Sequence, residues 1–149
     1  MIAAAYVALT YLASIFGLDK GVIQFRISEA LCIMPAFFPE ATLALTIGCF
    51  LANFLTGALL PDVIFGSLAT LIGALGAMAL RKVPKKLAFL LTVPTILANA
   101  LIVPLILIKV YEIPGTYIYF MLTVGIGELV CAGVLGTLLY YSLKKAKFR

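Results

Sequence analysis

With 149 residues, 64% of them hydrophobic and 11% charged, and a mean hydropathy of +1.21, the chain lies far from soluble domains, in which about a quarter of residues are charged. The composition specifies an all-α integral membrane protein of one domain, residues 1–149. At about 20 residues per crossing, six crossings take roughly 120 residues, which leaves room for connections but not for an appended soluble domain. The eleven Lys and Arg against six Asp and Glu give a formal charge of +5, but eight of those cations fall in two runs, Arg81, Lys82, Lys85, Lys86 and Lys144, Lys145, Lys147, Arg149. Each run abuts an apolar segment, the pattern of the positive-inside rule, and this placement argues against a nucleic-acid partner.

The first apolar segment runs from Ile2 to Phe16 and lacks the basic start and polar cleavage site of a signal peptide, so it reads as mature structure. A polar loop, Gly17 to Gln24 with Asp19, Lys20 and Gly21, leads to a short second segment, Phe25 to Phe38, which carries Arg26 and Glu29. Pro39 and Glu40 turn the chain into a third segment, Ala41 to Thr56, which breaks at Gly57 and Leu60-Pro61-Asp62. Asp62 is placed to cap the fourth segment, Val63 to Leu80. The fifth runs from Lys86 to Tyr111, and the Glu112-Ile113-Pro114-Gly115 loop precedes the sixth, Tyr117 to Leu143.

Both basic runs flank the fifth and sixth segments, and two crossings return the chain to the same side, so the runs agree on one cytoplasmic face. The loops near Lys20, Pro61 and Glu112 then lie outside, and the amino terminus lies inside if the second segment crosses. That segment has the length of a re-entrant piece as well. No strong internal repeat is present.

Enzymatic chemistry has no support. There is no histidine, and Cys32, Cys49 and Cys131 lie far apart inside apolar segments and read as core. Zinc catalysis, Ser/His/Asp hydrolysis and a nucleotide-binding GxxxxGK[ST] loop are therefore not available, and neither catalytic residues, a metal site nor a cofactor is expected.

Polar groups submerged in a bilayer are costly and are functional hypotheses by default. Glu128 lies 13 residues after Gly115, with Gly125, Ala132 and Gly136 at helical spacing along the same side. It either faces a cavity or seals a helix contact. Asn53 falls near the outer end of the third segment and Asn99 about twelve residues below the outer end of the fifth; each amide suits either a planar polar ligand or an interhelical hydrogen bond. Glu29 and Arg26, three residues apart, either pair at the outer rim or line a pocket with Gln24 and Phe25. Phe54 and Phe65 are placed to stack on a flat ring or to serve as packing. Ala4 and Ala8 form a small-xxx-small pair suited to docking a partner helix, and Gly66, Thr70, Gly73 and Ala77 form a longer small face suited to packing inside the chain.

The runs Ile23-Gln24-Phe25-Arg26-Ile27-Ser28-Glu29-Ala30-Leu31-Cys32, Phe37-Phe38-Pro39-Glu40, Gly48-Cys49-Phe50-Leu51-Ala52-Asn53, Asp62-Val63-Ile64-Phe65-Gly66-Ser67-Leu68-Ala69-Thr70, Asn99-Ala100-Leu101-Ile102-Val103 and Gly125-Ile126-Gly127-Glu128-Leu129 resemble the QueT family. These are membrane S components of energy-coupling factor (ECF) importers for queuosine precursors. The resemblance implies a bundle of six transmembrane helices of the S-component type in the cell membrane, multi-pass, with both termini cytoplasmic and a pocket open to the outside. It further implies docking through Ala4 and Ala8 on a module of one transmembrane coupling protein and two ATPases, with toppling in the lipid to release substrate. The chain departs from the family pattern in starting almost inside its first helix.

For a 7-deazaguanine ligand, whose ring N–H and exocyclic amine present two parallel donors, a carboxylate offers the complementary bidentate edge. Glu128 is the first choice and Glu29 the second, with Asn53 and Asn99 reading the remaining ring atoms. Two other readings stay open: an S component for another vitamin or nucleobase, and a membrane scaffold without a small-molecule ligand.

Overall fold

The structure, a computed structural model, describes residues 1–19 and 23–147; Lys20, Gly21 and Arg149 of the loops and basic runs above lie outside the described residues. Among the described residues the chain is all-helical, with six helices and no strand. They are α1 (Ile2–Ile15), α2 (Ile27–Ala36), α3 (Ala41–Leu55), α4 (Leu60–Ala79), α5 (Lys85–Lys109) and α6 (Tyr117–Lys147). Three of them, α4, α5 and α6, are long and apolar enough to cross a membrane, and α1, α2 and α3 are shorter apolar helices.

The first, third and fifth helices all finish at the same end of the molecule. Asp19 and Gln24, Gly57 and Ala58, and Tyr111 and Ile113, from three different connections, line one cavity there. The basic runs occupy the opposite end: the Tyr141 hydroxyl donates to the Lys85 carbonyl at 2.9 Å, and the Lys147 ammonium stands 5.9 Å from the Phe38 ring centre. Gln24 at the cavity end and Phe38 at the basic end bracket α2, so the second segment traverses the bundle from one end to the other.

It does so because ten of its residues wind as a 3-10 helix, which rises about 2.0 Å per residue against 1.5 Å in an α-helix. The tighter winding also eclipses every third side chain, and Arg26, Glu29 and Cys32 therefore follow one line.

The fourth helix begins earlier than the sequence suggests. Pro61 sits in its first turn, where a missing N–H is harmless, and the capping position belongs to Leu59; Asp62 is not the cap but a first-turn acid. Its small face packs inward as predicted: Gly66, Thr70, Gly73 and Ala77 are buried, and a Cβ on Gly73 would overlap Thr95 of α5. On α3, Gly48 lets α1 approach, since a Cβ there would lie 3.0 Å from the Ala3 carbonyl oxygen. Core residues Tyr6, Cys32, Leu45, Cys49 and Ala74 fill the space between α1, α2, α3 and α4, and the cysteines are free and buried.

The sixth helix changes pitch. It is α-helical over Tyr117–Glu128, π-helical over Leu129–Leu135, and α-helical again over Gly136–Lys147. Single π turns concentrate at functional sites, and this one follows Glu128 directly. Just before it, Gly127 lies so close to the loop preceding α2 that a Cβ would collide with the Gln24 carbonyl. Gly127→Ala is therefore expected to destabilise the protein by about 1–3 kcal/mol, the range for overpacking against rigid backbone. Gly125→Ala, whose Cβ would meet the Ala100 Cβ at an ordinary 3.8 Å, serves as control; thermal unfolding of the purified protein in detergent reads the difference.

Candidate binding site

A cavity of about 380 Å3 opens at the end opposite the basic runs, within the roughly 300–1,000 Å3 of small-molecule sites. Its polar lining comes from Thr10 of α1, Asp19, Gln24, Arg26, Asn53 of α3 and Asp62 of α4, with Tyr111 at the far rim. The α3 terminus reaches the rim through Gly57, whose φ of 79° is the left-handed conformation that glycine adopts without penalty.

Arg26 forms the junction between this open space and a buried polar layer. It is close enough to interact electrostatically with Asp62 beside it and with Glu29 on its own segment, and with Glu128 of α6. Glu29 is 1% exposed and both its oxygens are engaged: the Tyr6 hydroxyl donates to Oε1, and the Cys32 thiol donates to Oε2 at 3.1 Å. The reading of Arg26 and Glu29 as a self-contained pair at the outer rim is thus corrected. Winding places Cys32 one 3-10 turn beyond Glu29, and α1 supplies Tyr6, so Glu29 belongs to the interior. Nearby, the Thr10 hydroxyl donates to Ser28 Oγ at 2.8 Å.

Glu128 and Asn99 behave differently. They are 4% and 2% exposed and the Asn99 amide stands within reach of Glu128 as a donor, yet neither Glu128 Oε2 nor Asn99 Nδ2 completes a well-formed hydrogen bond among the described residues. An acceptor and a donor are left imperfectly satisfied together, in a setting where an unmade bond costs about 1–3 kcal/mol. Asn53, 4% exposed, lines the cavity itself with only a 3.6 Å contact from its Nδ2 to Cys49 Sγ.

Of the residues singled out in the sequence, Gln24, Arg26 and Asn53 line the cavity, while Glu29, Asn99 and Glu128 are buried, the two glutamates within electrostatic reach of Arg26. Phe25 is half-buried and not part of the lining. Phe54 and Phe65 are corrected as ring-stacking residues: they are 63% and 49% exposed and absent from the cavity lining, because each is turned about 100° round its helix from Asn53 or Gly66. Ala4 and Ala8 are exposed on α1, on the side away from Tyr6 and Thr10.

The sequence reading missed Tyr6, Thr10, Asp62 and Tyr111 as site residues. Tyr6, Thr10 and Ala13 recur at helical spacing, a signal for an inward stripe, whereas nothing local announces that the Tyr111 hydroxyl donates to Asp62 Oδ2 at 2.7 Å across 49 residues or accepts from the Leu59 N–H at 3.3 Å. Burial, and then the bond to Asp62, raise the Tyr111 phenol above its ordinary range, which keeps it a donor at neutral pH.

The family described as QueT transporter matches residues 1–145. The chain belongs to the QueT transporter family. A curated relative, the queuosine precursor transporter QueT of Lactococcus lactis subsp. cremoris (strain MG1363), is 42% identical over 72 residues, a stretch that is 48% of this chain and 42% of that relative. No solved structure matches. Membership in QueT places the cavity and the buried layer in a helical chain of a transporter family.

Proposed function

We propose that this chain is the substrate-capture S component of an ATP-driven ECF importer in the cell membrane, binding queuosine precursors of the 7-deazaguanine class from outside. In this reading the cavity end faces out, the basic end and both termini face the cytoplasm, and lipid surrounds the bundle. The chain has no ATPase of its own. It docks through α1 on a module of one coupling protein and two ATPases, and topples to release its cargo inside.

The observation that carries the reading is the open pair formed by Glu128 Oε2 and Asn99 Nδ2, which lies behind Arg26 of the cavity lining. A deazaguanine edge supplies what that pair lacks: two donors for the carboxylate and an acceptor for the amide. The ring enters past Gln24 and Asn53, with Arg26 turning aside from Glu128 as it arrives. The position of the basic runs, all at the end away from the cavity, supports the orientation, and the name of the Lactococcus relative supports the ligand class.

A thermal-shift series on the purified protein tests it. A 7-deazaguanine at a hundred times its dissociation constant is expected to stabilise the fold by about 2.7 kcal/mol, with thiamine and riboflavin inactive. No stabilisation by any 7-deazaguanine would reject the reading and favour a scaffold.

A further inference from the structure

We propose that the cavity selects ligands bearing a protonated amine, and that Asp62 holds this ammonium at the cavity mouth in exchange for the Tyr111 hydroxyl. The inference rests on the function proposed above and assigns the part of the ligand that Glu128 and Asn99 do not reach.

Charge comes first. Among the described residues that line the cavity, two carboxyl groups, Asp19 and Asp62, face one guanidinium, that of Arg26. The Arg26 charge is also shared with Glu29 and Glu128, and the amino terminus of α4 contributes only about half a positive charge. A neutral ligand would leave that acidic surplus uncompensated in a partly desolvated space, whereas a cation balances it.

The second argument is the state of Asp62. It is buried and close enough to Arg26 to interact electrostatically with it, but the hydrogen bond it accepts among the described residues is from a neutral phenol, Tyr111 to Oδ2 at 2.7 Å. Bonds in which the donor is also charged are roughly twice as strong, so an ammonium outcompetes the phenol. Tyr111 sits in the connection between α5 and α6 and is 37% exposed, free to turn outward when displaced.

Space is provided as well. Gly66 lies under the pair formed by Asp62 and Asn53: a Cβ there would stand 3.4 Å from Asp62 Oδ1 and 2.9 Å from Asn53 Nδ2. Across the cavity, Asp19 Oδ1 is buried without a partner. An ammonium has three N–H donors, and this arrangement offers it oxygens from the first turn of α4 and from the connection after α1.

The division of labour that results is specific. Glu128 and Asn99 read the heterocycle common to the class, while Asp62 reads the substituent at the 7-position. Calorimetric titration of the full chain in detergent, with 7-(aminomethyl)-7-deazaguanine against 7-cyano-7-deazaguanine and 7-methyl-7-deazaguanine, tests this. The amine is expected to bind at least about ten-fold tighter than either neutral compound. Asp62→Asn is expected to bring the ratio close to one, and Tyr111→Phe to preserve it.

Equal affinities in the unaltered protein, a measurement that needs no variant, would overturn the proposal and leave the transport function standing. A ratio that survives Asp62→Asn, or one lost in Tyr111→Phe, would overturn it too. If none of the three compounds binds, the function itself falls and this inference with it.

Discussion

Uptake is expected to be abolished when Ala4 and Ala8 are both replaced by leucine, while ligand binding by the purified protein is retained. The two alanines are exposed and one turn apart on α1, and the opposite face of the same helix carries Tyr6, Thr10 and Ala13 into the core. Added leucine side chains therefore project into lipid and leave the Tyr6 bond to Glu29 intact. They would, however, fill the shallow strip along which a partner helix approaches, and helix association in lipid depends on such close approach because apolar burial drives nothing there. In the proposed importer the energy comes from the separate ATPases, so a chain that cannot dock at most equilibrates its ligand. The measurement is ligand accumulation in cells next to calorimetry on the same variant. Accumulation at the normal rate would move the docking surface elsewhere; loss of both would mean that the substitutions damage the fold.

Glu128→Gln is expected to weaken 7-deazaguanine binding by about ten-fold to a hundred-fold, without lowering the unfolding temperature of the empty protein. The substitution preserves shape but turns one carboxylate oxygen into a donor, so the ligand's two N–H groups meet one acceptor and one opposing donor. A hydrogen bond to a charged group contributes about 1.5–3 kcal/mol, which converts to that range of affinity. Stability is not expected to fall, since Glu128 Oε2 completes no well-formed bond in the empty protein that the substitution would remove. If Glu128 only seals a helix contact, affinity will be unchanged. The corresponding change at Glu29 has another signature: its oxygens are occupied by Tyr6 and Cys32, so Glu29→Gln should reduce stability first and affinity only as a consequence.

The difference between these two glutamates shows where sequence reasoning stops. Both were legible as acids inside apolar segments, and both were assigned to the ligand. Their roles diverge because α2 winds as a 3-10 helix that delivers Cys32 to Glu29, while the π-helical stretch after Glu128 and the glycine before it bring α6 against Gln24. Neither departure from α-helical pitch has a local sequence rule strong enough to predict it. Asp62 makes the same point: its position after Pro61 reads locally as a cap, and only contact with a distant loop makes it part of the cavity wall. Phe54 and Phe65 stay outside the cavity wall because consecutive residues on a helix project about 100° apart, which carries each ring round from its cavity-side neighbour to an exposed face.

What the sequence determined by itself was everything the bilayer dictates: an all-helical chain, the number and order of its apolar segments, the grouping of basic runs at one end, and the short set of polar residues that apolar surroundings make expensive. These follow from transfer free energies and chain length, which are properties of individual residues and short windows. Tertiary structure alone decided that the second segment traverses the bundle, that Glu29 is an internal fastening and Glu128 an open acceptor, and that Asp62 and Tyr111 meet at the mouth. Such outcomes depend on which side chains face each other across helices tens of residues apart, and packing between helices, with the local changes of pitch it enforces, sets them.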